Sequence, residues 1–178
     1  MGPTAEKMGN GFTYSDYVHW PEDERWEIIV GEAYAMTPAP SIPHQKMSGY
    51  LSSLFVQFFK NRECQPFHAP TDVVFDEQNI VQPDLLVVCD KNKITEKNIQ
   101  GAPDLVVEIL SPATALKDKR QKKALYERFG VRKYLIFYPM EELVERFVIA
   151  DGRYSAAEVF GWDETLPIAI FPELTPNP

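Results

Sequence analysis

Residues 105–110 read Leu105-Val106-Val107-Glu108-Ile109-Leu110, an apolar run with one carboxylate set inside it. A continuous rather than alternating run belongs to a strand covered on both faces. Asp72–Phe75, Leu85–Cys89 and Tyr134–Tyr138 read in the same way. A helix over about Ala115–Phe129, ended by Gly130, stands between the run at 105–110 and Tyr134–Tyr138. Upstream, Met47, Tyr50, Leu51, Leu54, Phe55, Phe58 and Phe59 form a helical apolar stripe. Ser41 can cap that helix, Pro43 suits its first turn, and His44 lies on the edge of the stripe. Phe12–Trp20 reads as a short helix or turn before Pro21, and Thr37–Pro43, with three prolines, as an irregular connection. Trp26–Val30 and Ala33–Met36 flank Gly31-Glu32 as an N-terminal β-hairpin, and Leu143–Ile149 and Tyr154–Phe160 flank the turn Asp151-Gly152. The order helix, strands, helix, strands predicts an α/β fold with a mixed sheet.

The chain has 178 residues, of which 44% are apolar and 25% charged, the composition of an ordinary globular domain. The expected organisation is a flexible N-terminus over 1–12, one domain over 13–170 and a Pro-rich tail over 171–178. The apolar runs are too short to span a bilayer, and Met1–Asn10 lacks the apolar stretch of a signal peptide. Cys64 and Cys89 show no CxxC spacing, and Cys89 reads as a buried small hydrophobe. A reduced, cytoplasmic protein is expected. The net charge of −8 argues at first against nucleic acid. Yet Lys117–Lys133 holds eight bases against two acids, a net +6, which leaves −14 on the rest. That element could contact phosphates or be a solvated helix face.

No GxGxxG, P-loop, HExxH or GxSxG motif is present, and three histidines make a histidine-rich metal site improbable. What remains is carboxylates in costly places. Glu108 must be paired, bind a metal or lie at an edge. Asp84 follows Pro83 and opens Leu85–Cys89, where an aspartate is common for turn reasons alone. At about 100° per residue, Lys122 shares a helix face with Asp118, Leu125 and Phe129, whereas Lys119, Arg120, Lys123 and Arg128 point elsewhere. An inward lysine, or an Asp118–Lys122 pair with a snorkelling stem, fits that pattern. Two acidic strand residues and an inward lysine suit metal-assisted phosphodiester hydrolysis, with Mg2+ or Mn2+ on the carboxylates. There the lysine would orient the attacking water.

Val81-Gln82-Pro83-Asp84-Leu85-Leu86-Val87-Val88, followed by Gly101-Ala102-Pro103-Asp104-Leu105-Val106-Val107-Glu108-Ile109-Leu110-Ser111-Pro112, resembles the Uma-type restriction endonuclease family of the PD-(D/E)XK nuclease superfamily. Glu27 with Gly31-Glu32, Pro38–His44, Asp118, Lys122 and Tyr126, and Gly130-Val131 with Tyr134 extend the likeness from about Tyr14 to Phe160. The resemblance implies a restriction-endonuclease-like core, a central mixed β-sheet flanked by helices, with an N-terminal β-hairpin. It implies that Asp84 and Glu108 bind Mg2+ (or Mn2+), that the Ile109 carbonyl adds a ligand, and that Lys122 replaces the lysine usual where this chain has Leu110. Glu27 and His44 match recurring positions as supporting residues. Glu27 would complete the metal shell or pair with a base. Leu135 and Tyr138 depart from a tryptophan and an acidic residue frequent in the family. The expected function is a metal-dependent endonuclease cutting DNA as a homodimer, away from membranes. The alternative is a catalytically silent nucleic-acid or protein binding module on the same fold.

Overall fold

A computed structural model describes residues 9–36, 40–111, 118–164 and 166. The chain opens with α1 (Tyr14–Tyr17), β1 (Trp26–Ile29) and β2 (Glu32–Ala35), and continues through α2 (Ile42–Phe59). Next come β3 (Gln65–His68), β4 (Val73–Asp76), β5 (Asn79–Val81), β6 (Leu85–Val88), β7 (Ile99–Gln100) and β8 (Leu105–Ile109). A π-helical turn, Asp118–Lys122, runs into α3 (Lys123–Phe129). The strands β9 (Lys133–Tyr138), β10 (Leu143–Ala150), β11 (Arg153–Tyr154) and β12 (Glu158–Gly161) follow.

The α/β character is as expected, but the strands form two mixed sheets instead of one central sheet. One has the order β2-β1-β5-β4-β7, and the other β11-β10-β9-β8-β6-β3 with β12 also on β10. The split has a local cause. β1–β2 and β4–β5 are each sequence-adjacent hairpins, and they join to one another through Ile28↔Ile80. In the larger sheet β8 pairs parallel with β9 and antiparallel with β6.

Side chains alternate across the larger sheet. Leu85, Val87, Leu105, Val107, Ile109, Leu135 and Phe137 pack with Met47, Leu51, Phe55 and Phe59 of α2. Leu86, Val88, Val106, Tyr134 and Ile136 pack with Leu125 and Tyr126 of α3 and with Ile29, Val73 and Val81 of the smaller sheet. Both faces are covered, as the unbroken apolar runs predict. The smaller sheet alternates too: Ile29 faces the larger sheet, while Ile28 packs with Val74, Ile80 and the ring-bearing residues Phe12, Tyr14, Tyr17 and Trp20. Glu27 therefore shares the inward side with Ile29.

The cap at Ser41 and the stop at Gly130, with φ 76°, form as expected. The predicted 115–129 helix begins, among described residues, with the π-helical turn, and 115–117 lie outside them. Residues 37–39 of the irregular connection, 1–8 of the N-terminus and 167–178 also lie outside. The N-terminal hairpin turns at Val30-Gly31, not Gly31-Glu32, because the register is Ile29↔Glu32. Both turn residues have positive φ, 54° and 72°, as a type I′ turn demands. A valine there is strained, and Asn79 Oδ1 holds it by accepting the Val30 N–H at 2.9 Å. Asp151-Gly152 turns as read. The reduced cysteines are corrected: Cys64 and Cys89 form a disulfide. The register Gln65↔Val88 sets them opposite each other at the next step, the spacing at which cross-strand side chains meet. Among the described residues, no helix is long and apolar enough to cross a membrane.

Candidate active site

Two Pro-Asp pairs, Pro83-Asp84 and Pro103-Asp104, open the antiparallel neighbours β6 and β8. Each carboxylate takes the backbone N–H just past, or at, the end of the partner strand. Asp84 Oδ2 accepts from Ile109 N–H at 2.7 Å, and Asp104 Oδ2 accepts from Cys89 N–H at 2.8 Å. A strand-opening aspartate thus has a structural duty that neither position escapes. What differs is the surroundings. Asp104 meets the largely exposed Arg132 at 3.5 Å. Asp84 meets the imidazole of His44, Nε2 lying 3.2 Å from each carboxylate oxygen. The apolar stripe of α2 brings His44 there, three residues before Met47 on the buried side. Its Nδ1 is buried without a hydrogen-bond partner.

The register Leu85↔Val107 places Asp84 opposite Glu108 at the next step. Glu108 projects with Val106 toward α3, and only 3% of it is exposed. Its Oε1 accepts from Lys122 Nζ at 2.9 Å and from Tyr126 Oη at 2.6 Å. Lys122, itself 3% exposed, also lies 2.8 Å from Glu27 Oε1. The lysine points inward as the helical spacing predicts, and its partners include Glu27 and Glu108; the Asp118 side chain, the other partner the sequence offers, lies outside the described residues. Glu27 is fully buried on β1 and accepts the Gln82 N–H at 3.0 Å. The structure therefore gathers Lys122, Glu108 and Glu27 in one ion-paired group and sets His44 within hydrogen-bond distance of Asp84 in a second, the two joined by the β6–β8 register.

Sequence reasoning gave no role to two members. Tyr126, wholly buried, reads as a core aromatic, although its position one turn after Lys122 sets both side chains on one face. Gln82 links outward. Its side chain donates to Asp72 Oδ1 at 2.7 Å and accepts from Arg25 Nε at 2.8 Å. Tyr17 also donates to Asp72 at 3.0 Å, and burial together with the Asp72 charge pushes its phenol pKa up.

Among the described residues no three His, Cys, Asp or Glu side chains form a group able to hold a metal ion. Mg2+ is commonly held by one or two carboxylates, with water and substrate phosphate filling its other positions. Asp84 and Glu108, hard oxygen donors on adjoining strands, fit that requirement, and the Asp84 side chain is 20% exposed. Strand β8 delivers Glu108 from an apolar run where a carboxylate would otherwise be costly.

The Uma2 family model, described as putative restriction endonuclease, matches residues 14–177. This chain belongs to the Uma2 family. Its fold agrees with that of a solved structure, a putative nuclease belonging to DUF820 from Anabaena variabilis. That match has a TM-score of 0.78 at 21% identity, covering 94% of this chain and 95% of that one. Two uncharacterised proteins of Synechocystis are similar to this Uma2 chain. One is 32% identical over 114 residues, 62% of this chain and 60% of that protein's own length. The other is 25% identical over 156 residues, 84% of this chain and 88% of that protein.

Proposed function

We propose that the protein is a Mg2+- or Mn2+-dependent endonuclease that hydrolyses phosphodiester bonds of DNA. The observation that carries this reading is a buried lysine 2.9 Å from a strand carboxylate, Lys122 on Glu108, with Asp84 on the adjoining strand. The description of its family, putative restriction endonuclease, supports DNA as the substrate. Asp84 and Glu108 would hold the ion, which when bound screens the phosphate and acidifies the attacking water. The chain's own groups do the rest. Lys122 presents an ammonium that orients water and stabilises charge building on the phosphoryl oxygens. Tyr126 fixes one oxygen of Glu108, and His44 and the Ile109 N–H fix Asp84.

The basic element adds phosphate contacts, with Arg120 exposed on the π-helical turn. On so acidic a body, binding by few cations is weak at physiological salt. A homodimer would double those contacts and supply a second site for the second strand.

The test is nicking of supercoiled plasmid with Mg2+ or Mn2+ against an EDTA blank, circular dichroism checking the fold of each variant. Cleavage should need metal, vanish in Asp84→Asn and Glu108→Gln, and fall by about 10²-fold or more in Lys122→Ala. Unchanged nicking by Lys122→Ala removes the lysine from the mechanism. No cleavage of plasmid or single strands with either metal leaves the other reading, a catalytically silent nucleic-acid or protein binding module.

A further inference from the structure

The geometry assigns Glu27 to Lys122: it is the positioning residue that holds the catalytic lysine, not a third ligand of the metal. This rests on the nuclease reading of the same site. Glu27 has no exposed surface, so its carboxylate must be compensated inside the protein. Its Oε1 is engaged from two sides, by Lys122 Nζ at 2.8 Å and by the Gln82 backbone N–H at 3.0 Å. The second donor belongs to the main chain two residues before Asp84, so it fixes the carboxylate rather than following it. A lysine stem has four rotatable carbons and no preferred direction of its own. Between Glu27 and Glu108, both within 2.9 Å, the ammonium has one place to be.

Two further observations point the same way. The hairpin grips the π-helical turn beside Lys122 as well, Gln121 Nε2 donating to Tyr34 Oη at 3.1 Å, and Tyr34 stands opposite Glu27 across β1–β2. A π-helical turn running into an α-helix is a frequent mark of a functional position. And among the described residues no third carboxylate joins Asp84 and Glu108 in a group that could hold a metal. The hairpin is therefore a clamp on the lysine.

The experiment is a double-mutant cycle on the full chain, with Glu27→Gln, Lys122→Met and both together. Glutamine keeps an acceptor for the Gln82 N–H, and the double variant removes both charges of the pair, so at least one altered protein should keep its fold. Three quantities are read: the Mn2+ dissociation constant by calorimetry, kcat and KM for plasmid nicking, and the slowly exchanging Lys122 ammonium resonance by NMR of metal-free, isotope-labelled protein. Expected for Glu27→Gln are loss of the ammonium resonance and a fall in kcat of about 10²-fold, the scale of an ångström's misplacement. KM and Mn2+ affinity should stay within about threefold, below the effect of losing direct support of a metal. In the Lys122→Met background, Glu27→Gln should cost kcat nothing further. Loss of Mn2+ affinity by about tenfold or more in both backgrounds ties Glu27 to the metal without Lys122 and overturns the assignment; so do additive losses in kcat. If the wild type neither binds Mn2+ nor nicks DNA, the nuclease reading fails, and the ammonium resonance decides Glu27 alone. Its loss in Glu27→Gln upholds the clamp, and its persistence overturns it.

Discussion

Two lysines lie almost equally deep, Lys122 at 3% and Lys133 at 2% exposure, in opposite company. Lys122 has a carboxylate on either side, at 2.8 and 2.9 Å. Lys133, first residue of β9, has no hydrogen-bond partner for its Nζ, and the charges that act on it are Arg146 and Glu158, themselves paired at 2.8 Å. Burial pushes the Lys133 pKa down to about 8, Arg146 lowering it further and Glu158 partly offsetting both. Depth alone therefore does not decide what a lysine is for. Lys122 is held as a charge by groups that themselves need a charge, whereas Lys133 is relieved by giving up its proton.

The comparison predicts opposite signs on removal. Lys122→Met leaves Glu27 and Glu108 buried without their cation and should cost about 3–5 kcal/mol of stability, read by urea unfolding. A loss under about 1 kcal/mol would mean that the pair is not a buried charge pair in solution. Tyr126→Phe keeps the ring among Phe75 and Tyr134 and deletes one hydrogen bond to a carboxylate. Its expected cost is about 1.5–3 kcal/mol, by the same measurement. Lys133→Met should instead stabilise, by about 1 kcal/mol at pH 7, the low end seen when buried ionic groups give way to apolar ones.

That last gain depends on pH. Below about 8 the lysine is protonated in both states, and the folded protein bears the full cost of an unpaired ammonium. Between about 8 and the ordinary lysine value near 10.4, the unfolded chain holds the proton that the folded one has released, so wild-type stability rises with pH. The advantage of Lys133→Met should shrink across that window, measured as the difference in Tm at pH 7 and pH 10. The raised phenols of Tyr17 and Tyr154 pull stability down above pH 10, equally in both proteins, and cancel from the difference. An advantage constant with pH would mean that Lys133 is not the titrating group.

Legibility followed locality. Glu108 was readable because an apolar strand makes a carboxylate conspicuous, and Lys122 because helical spacing separates it from the other bases. Gly130 and Asp151-Gly152 were readable because their backbone conformations need few residues to specify. Tyr126 was not, since an aromatic at core spacing carries no mark of its hydroxyl's partner. Strand β3 was hidden by Pro66, tolerated because β3 is the edge of its sheet. The division into two sheets depends on which hairpin edges meet, 52 residues apart in sequence for Ile28 and Ile80; no local pattern reports it. The disulfide is a register effect of the same kind. Glu27 stood out in the sequence only through family likeness, because its partner Lys122 arrives from far along the chain.

The lysine between Glu27 and Glu108 has a mechanical meaning as well. One carboxylate belongs to the smaller sheet and the other to the larger. Strand β1 cannot peel away from its neighbour layer without drawing an ammonium off a buried carboxylate, so local opening of the hairpin is tied to opening of the core. A lysine proposed to serve in cutting DNA thus also ties the two sheets together, beside the apolar contacts of Ile29, Val73 and Val81.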